Sequence, residues 1–180
     1  MTQHRTKLGG FLEFREEIQT LNPWVDLIAR FTIESPEPYL HLRTQDYVAI
    51  IALFENKITL VKQFRIALDI ETIELPSGLI DPGQTPISAA WRELEEEAGL
   101  IPTSEAISLP VQYIDSARLE TRVSPFFFQS TKKKEGWVAE AGLSPLWIEK
   151  EDLSKALASG MLSLSSHSGM LAYLRMSGEI

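Results

Sequence analysis

Tyr47–Phe54, YVAIIALF, is a continuous apolar run of strand length, and it predicts a strand buried on both faces. Glu55-Asn56-Lys57 reads as a turn, and Ile58–Phe64 alternates apolar and polar positions, so the two segments predict a hairpin. Leu68–Leu75 runs on, partly extended, to a Gly/Pro-rich loop, Leu75–Gly83. Val123–Phe128, with Phe126-Phe127-Phe128, predicts another buried strand, and Ile107–Ile114 is a strand candidate interrupted by Pro110. Upstream, Asn22-Pro23-Trp24 reads as a turn into an extended segment, Trp24–Ile33. Ser35-Pro36-Glu37-Pro38 breaks that segment and Tyr39–Arg43 resumes it, predicting a small antiparallel sheet. Over residues 1–19 a weak amphipathic pattern around Phe11, Leu12 and Phe14, with Glu13, Arg15, Glu16 and Glu17, favours a helix or a loosely held arm.

Helical spacing appears three times. Thr85 before Pro86 reads as an N-cap with proline in the first turn, and Gly99 as the stop. Between them Ala89, Ala90, Leu94 and Ala98 form a dry face, while Glu93, Glu96 and Glu97 share the other. Glu149–Ser159 and Ser166–Met176 read as helices, the latter with Met170, Leu171, Tyr173 and Leu174 as its apolar face and His167 as a cap or surface residue. Ser130–Glu140 is loop-like, and Lys132-Lys133-Lys134 within it reads as a solvated run. Strand, strand, glycine loop, helix, strands, helix is the order of a mixed sheet between helices, an α/β/α sandwich.

Composition narrows the function classes. A net charge of −8 argues against non-specific nucleic-acid binding, and the lack of cysteine removes disulfides and thiolate chemistry. No run is long and apolar enough to span a membrane and the first residues are polar, so a cytoplasmic protein with no membrane partner is expected. The acidic helix then stands out. Carboxylates three and four residues apart repel, which does nothing for a helix that only has to be stable, whereas a hard divalent cation would relieve the repulsion.

Gly78–Leu100 resembles the signature of the Nudix hydrolases, Gly-x5-Glu-x7-Arg-Glu-U-x-Glu-Glu-x-Gly-U, with U a bulky aliphatic. Gly78, Arg92, Glu93, Leu94, Glu96, Glu97, Gly99 and Leu100 fall on it in register, and Gln84 stands where the pattern has its first glutamate. The resemblance implies Mg2+, with Mn2+ able to substitute, held by Glu93 and Glu97 with Glu96 assisting, and Arg92 orienting the glutamates. Lys62-Gln63-Phe64-Arg65 followed by Glu74-Leu75-Pro76-Ser77-Gly78 is similar to the pattern of ADP-ribose pyrophosphatases. That similarity implies that Arg65 contacts substrate phosphate, that Glu74 and Gly78 lie at the substrate site, and that the Ser77 carbonyl is a metal ligand. In several relatives a glutamate of the loop matching Ser130–Glu140 is the general base, which implies Glu140 first and Glu135 second. Arg118 and Arg122 read either as phosphate contacts or as surface partners of Asp115 and Glu120.

By the same resemblance the chain is expected to divide into an N-terminal arm and β-hairpin, residues 1–45, serving as a homodimer contact, and a Nudix hydrolase domain, residues 46–180. The implied fold is α/β (α+β), a Nudix-type α/β/α sandwich with a mixed sheet and a small N-terminal antiparallel segment. The implied reaction is metal-dependent hydrolysis of ADP-ribose to AMP and ribose 5-phosphate. Another nucleoside diphosphate sugar is the nearer alternative, and a catalytically silent nucleotide-binding module the farther one.

Overall fold

In the computed structural model, which describes residues 2–8, 12–32, 35 and 37–180, the apolar run Tyr47–Phe54 is strand β5. Phe11, Ile33 and Pro36, on which sequence expectations rested, lie outside the described residues. The elements in chain order are β1 (Thr2–Leu8), β2 (Leu12–Asn22), β3 (Val25–Thr32), β4 (Tyr39–Thr44), β5, β6 (Lys57–Arg65), β7 (Ile70–Glu74) and β8 (Ser77–Leu79). They continue as α1 (Pro86–Ala98), β9 (Leu100–Pro102), β10 (Ala106–Ser108), β11 (Gln112–Tyr113), β12 (Arg122–Phe128), β13 (Thr131–Lys133), β14 (Leu143–Glu149), α2 (Leu153–Ala158) and α3 (Ser165–Ser177). They fall into two units: Met1–Asp46 with Tyr113–Arg122, and Tyr47–Gln112 with Val123–Ile180.

In the second unit β5 lies near the middle of a mixed sheet with the path β10-β12-β5-β6-β14; β7 adds to β6 and β8 to β5. The pairing of β12 with β5 is parallel and that of β5 with β6 antiparallel. Side chains of a strand point alternately to its two faces. Val48, Ile50 and Ala52 therefore pack with Ala89, Ala90, Leu94 and Ala98 of α1, joined by Phe126 and Phe128. Ala49, Ile51 and Leu53 face the other way, with Phe127, Leu153 of α2 and Met170, Leu171 and Leu174 of α3. These are the two cores of an α/β/α sandwich, as expected.

Four local readings of this unit need correction. Part of the expected loop Ser130–Glu140 pairs as β13 with β9 in an antiparallel ribbon. The helix expected over Glu149–Ser159 is shorter, because β14 continues to Glu149 and a 3-10 turn, Lys150–Asp152, precedes α2. On α3, Tyr173 is 49% exposed, while His167, expected at a cap or the surface, is wholly buried.

The first unit is a four-stranded antiparallel meander, β1-β2-β3-β4. The small sheet around Asn22-Pro23-Trp24 is as expected, the Asn22 side chain accepting the Trp24 amide at 2.9 Å. The helix or arm expected before it is instead β1 and β2. The charges that suggested a helix find partners across strands: Glu16 accepts from Arg30 Nε at 2.6 Å, and the Arg15 guanidinium lies 4.2 Å from the Phe31 ring centroid. Glu120 joins this unit, accepting from Arg43 Nε at 2.6 Å, from Arg30, and contacting His41 Nε2 at 2.8 Å. Among the described residues no helix is long and apolar enough to cross a membrane.

Candidate active site

The acidic helix begins and ends as its sequence requires. The Thr85 hydroxyl accepts the Ser88 amide at 3.3 Å, Pro86 opens the first turn, and Gly99 closes the helix in the left-handed region at φ 64°. With the alanine face against β5, Glu93 and Glu97 are carried inward, each only 8% exposed, while Glu96 stays in solvent. Arg92 Nη1 lies 2.7 Å from Glu93 and donates to Glu96 at 2.9 Å, and its Nη2 donates to the Leu79 carbonyl at 2.9 Å. One guanidinium thus ties two carboxylates to the strand beside the helix.

The Glu97 carboxylate accepts the Ser77 amide at 2.8 Å. Burial pushes its pKa up to about 8; the Ser77 hydrogen bond pulls downward and the neighbouring Glu93 charge pushes upward. Glu93 is raised as well, by burial, with Arg92 opposing. Gly78 leaves the Glu93 carboxylate its place, since a Cβ on it would stand 1.9 Å from Glu93 Oε1. Two inward carboxylates beside the 77–79 strand suit a hard divalent ion. Among the described residues, however, no three acidic or imidazole side chains are gathered into a ready cage. The donor set of Glu93, Glu97 and Ser77 fits such an ion in type, and substrate phosphates would have to complete its shell.

Glu74, fully buried, receives Arg65 through Nε at 2.8 Å and Nη2 at 2.5 Å, and the Thr72 hydroxyl at 2.6 Å. Burial alone would raise its pKa, but these hydrogen bonds and the Arg65 charge more than offset that and hold it below the ordinary carboxylate value. The next residue is gripped from α3: the Leu75 amide donates to His167 Nδ1 at 3.0 Å, while His167 Nε2 is buried without a partner among the described residues. Burial depresses the His167 pKa to about 4, against the nearby Glu74 charge, so the ring is neutral at pH 7. Gln84 accepts the Asp81 amide at 3.3 Å and closes the turn ahead of α1.

Arg65, Glu74, Ser77, Gly78, Arg92, Glu93, Glu96 and Glu97 thus lie on β6, β7, β8 and α1 of one unit. Arg118 and Arg122 belong to the other unit, paired with Asp115 at 3.1 Å and Asp46 at 2.9 Å. Glu140 and Glu135 are exposed, and Glu140 lines a cavity of about 230 Å³ with Glu95, Glu96, Lys134, Trp137 and Val138. Sequence reasoning read His167 as a cap or surface residue and passed over Trp137. No local pattern marks the burial of the histidine, but a tryptophan amid lysines and glutamates of a polar loop was a signal of docking.

A family model described as NUDIX domain matches residues 43–165. Over 53 residues the chain is 47% identical to an ADP-ribose pyrophosphatase of Bacillus subtilis (strain 168), covering 29% of each chain. The same figures hold for a methanol dehydrogenase activator of Bacillus methanolicus. The matched stretch therefore spans less than a third of the length of these curated relatives. A crystal structure of an ADP compounds hydrolase shares the fold, with a TM-score of 0.70 over 100% of this chain and 95% of that one at 14% identity.

Proposed function

The chain belongs to the NUDIX family, and from that premise we propose that it hydrolyses the diphosphate linkage of a nucleoside diphosphate joined to a second moiety, ADP-ribose above others. The observation that carries this reading is the pair Glu93 and Glu97 on one side of α1, each only 8% exposed, with Glu97 accepting the Ser77 amide of the adjoining strand. Neighbouring carboxylates withdrawn from solvent would be stabilised by a divalent cation. Support for an adenosine diphosphate substrate comes from the relatives, an ADP-ribose pyrophosphatase among them, and from Arg65 and Glu74 beside the glutamates.

Glu93, Glu97 and the Ser77 carbonyl would hold magnesium, or manganese in its place, with Glu96 assisting. When bound, the ion supplies charge neutralisation on the diphosphate and makes water a better nucleophile at neutral pH. Arg92 keeps Glu93 and Glu96 in place through its fork of donors. Arg65, one edge closed by Glu74, presents its remaining N–H groups to phosphate oxygens. Water attacks one phosphorus and gives its proton to Glu140. The bond from that phosphorus to the bridging oxygen breaks, and that oxygen leaves on the other phosphate, giving AMP and ribose 5-phosphate. The exposed Leu21, Trp24, Tyr39 and Leu40 support residues 1–45 as a homodimer contact.

The test is turnover of ADP-ribose with magnesium against a panel of nucleoside diphosphate sugars, dinucleotides and nucleoside triphosphates. Release of AMP from ADP-ribose is expected to be fastest. Glu97→Gln is expected to lower kcat by more than about a hundredfold while the chain stays folded, since a direct ligand outweighs the outer-shell partners of a metal. A faster rate on another nucleoside diphosphate sugar would keep the chemistry and move the specificity. No hydrolysis of any compound with either metal would leave a nucleotide-binding module.

A further inference from the structure

The segment that carries Glu140 is fastened to the end of α1 by one aromatic side chain. Trp137 donates its indole N–H to the Glu96 carbonyl at 3.1 Å, one of the carbonyls a helix leaves without an internal partner in its last turn. Its ring covers Gly99 so closely that a Cβ there would come within 2.4 Å of it. Beside it the Lys134 amide donates to the Gly99 carbonyl at 2.8 Å, and the Lys134 ammonium pairs with Glu95. Only Val138 and Ala139 separate Trp137 from Glu140, and Gly142 follows at φ 89°. Three residues of chain reach about 10 Å at most. With Trp137 docked, Glu140 therefore stays over the end of α1, on the cavity it lines with Glu95 and Glu96.

We propose that Trp137 is a positioning residue: seated on the C-terminal turn of α1, it is the pivot that sets where Glu140 meets the attacking water. The proposal rests on the preceding reading of Glu140 as the proton acceptor. Two demands converge at this position, a flat apolar surface over Gly99 and an N–H for the Glu96 carbonyl, and tryptophan meets both with one side chain. Glu96 meets the ring only through its backbone carbonyl, which accepts the indole N–H, so docking leaves its carboxylate with Arg92. The helix that holds the acidic face thereby also registers the base, and misplacing a reacting group by about 1 Å is enough to cost a hundredfold in rate.

A double-mutant cycle tests this, with kcat and KM for ADP-ribose measured at saturating magnesium on folded protein. Glu140→Gln is expected to lower kcat about a hundredfold. Trp137→Ala is expected to lower it about tenfold or more with KM within about twofold, and Trp137→Phe, which keeps a ring and loses the N–H, to fall between. In the Glu140→Gln background both Trp137 substitutions should have no further effect, because the group they position is gone. A further loss there equal to that in the wild-type background would show Trp137 acting through the helix alone and overturn the pivot. Full kcat in Trp137→Ala and Trp137→Phe, with Glu140→Gln impaired, would also overturn it and leave the base assignment standing. Full kcat in Glu140→Gln would remove the base assignment, and the pivot with it. If Trp137→Ala does not fold, the Trp137→Phe arm decides between the same outcomes.

Discussion

A methyl group on Gly78 would stand 1.9 Å from Glu93 Oε1, so Gly78→Ala has to push that carboxylate aside. The displaced atoms are the far end of a side chain rather than backbone, so the damage should fall on catalysis. We expect kcat to drop by on the order of a hundredfold while the melting temperature moves by only a few degrees, a split read from parallel kinetics and thermal scans. His167 carries a prediction of the opposite kind, on stability. Its folded pKa of about 4 lies below the ordinary 6.5, so between these values the unfolded chain binds a proton that the folded chain refuses. Its contribution is whole above about pH 6.5 and declines as pH falls towards 4, by roughly 3 kcal/mol at 1.36 kcal/mol per unit. Denaturant melts across that window should show the decline, and His167→Asn should flatten it.

Thr85 is the entry to the element on which the site is built. Thr85→Ala removes the acceptor of the Ser88 amide and should destabilise the protein by about 1 kcal/mol, measured by chemical unfolding, with kcat little changed while the helix stays docked. This helix was legible because its signals are local: Thr85-Pro86 at one end, Gly99 at the other, an alanine face between. Strand β5 was legible for a related reason, since burial on both faces leaves an unbroken apolar run. Strands β1 and β2 were not. Glu16 and Arg15 look like helix-surface charges until Arg30 and Phe31 come alongside from the next strand, and that partnership is invisible in the neighbours of either residue. His167 misled in the same way, because the amide that donates to its Nδ1 belongs to Leu75, 92 residues earlier. That Glu93 and Glu97 share one side of α1 was legible in their spacing, whereas the choice of a surface partner over a phosphate contact for Arg118 and Arg122 rests on Asp115 and Asp46 standing beside them in the fold.

At the scale of the whole molecule the first unit puts Trp24 at a turn with 58% of its surface exposed, together with exposed Leu21, Tyr39 and Leu40. If these residues are a dimer contact, the protein should sediment at twice its 20.3 kDa chain mass, and Trp24→Asp should shift it towards the monomer. A monomer at all concentrations would remove the dimer assignment. The second unit has a consequence for how the protein is made. One edge of β7 lies against β6, and the other is held by residues that come much later: the Ser163 amide donates to the Ile73 carbonyl at 3.0 Å, and His167 takes the Leu75 amide. During synthesis the strand leaves the ribosome some ninety residues before those partners exist, at about 5–20 residues per second. For those seconds Ile70–Glu74 is an open edge next to the exposed Phe64, Ile66 and Leu68, the kind of surface that chaperones shield and that nascent chains pair through. The strand that carries Glu74 is thus a hazard of biogenesis until α3 arrives to close it.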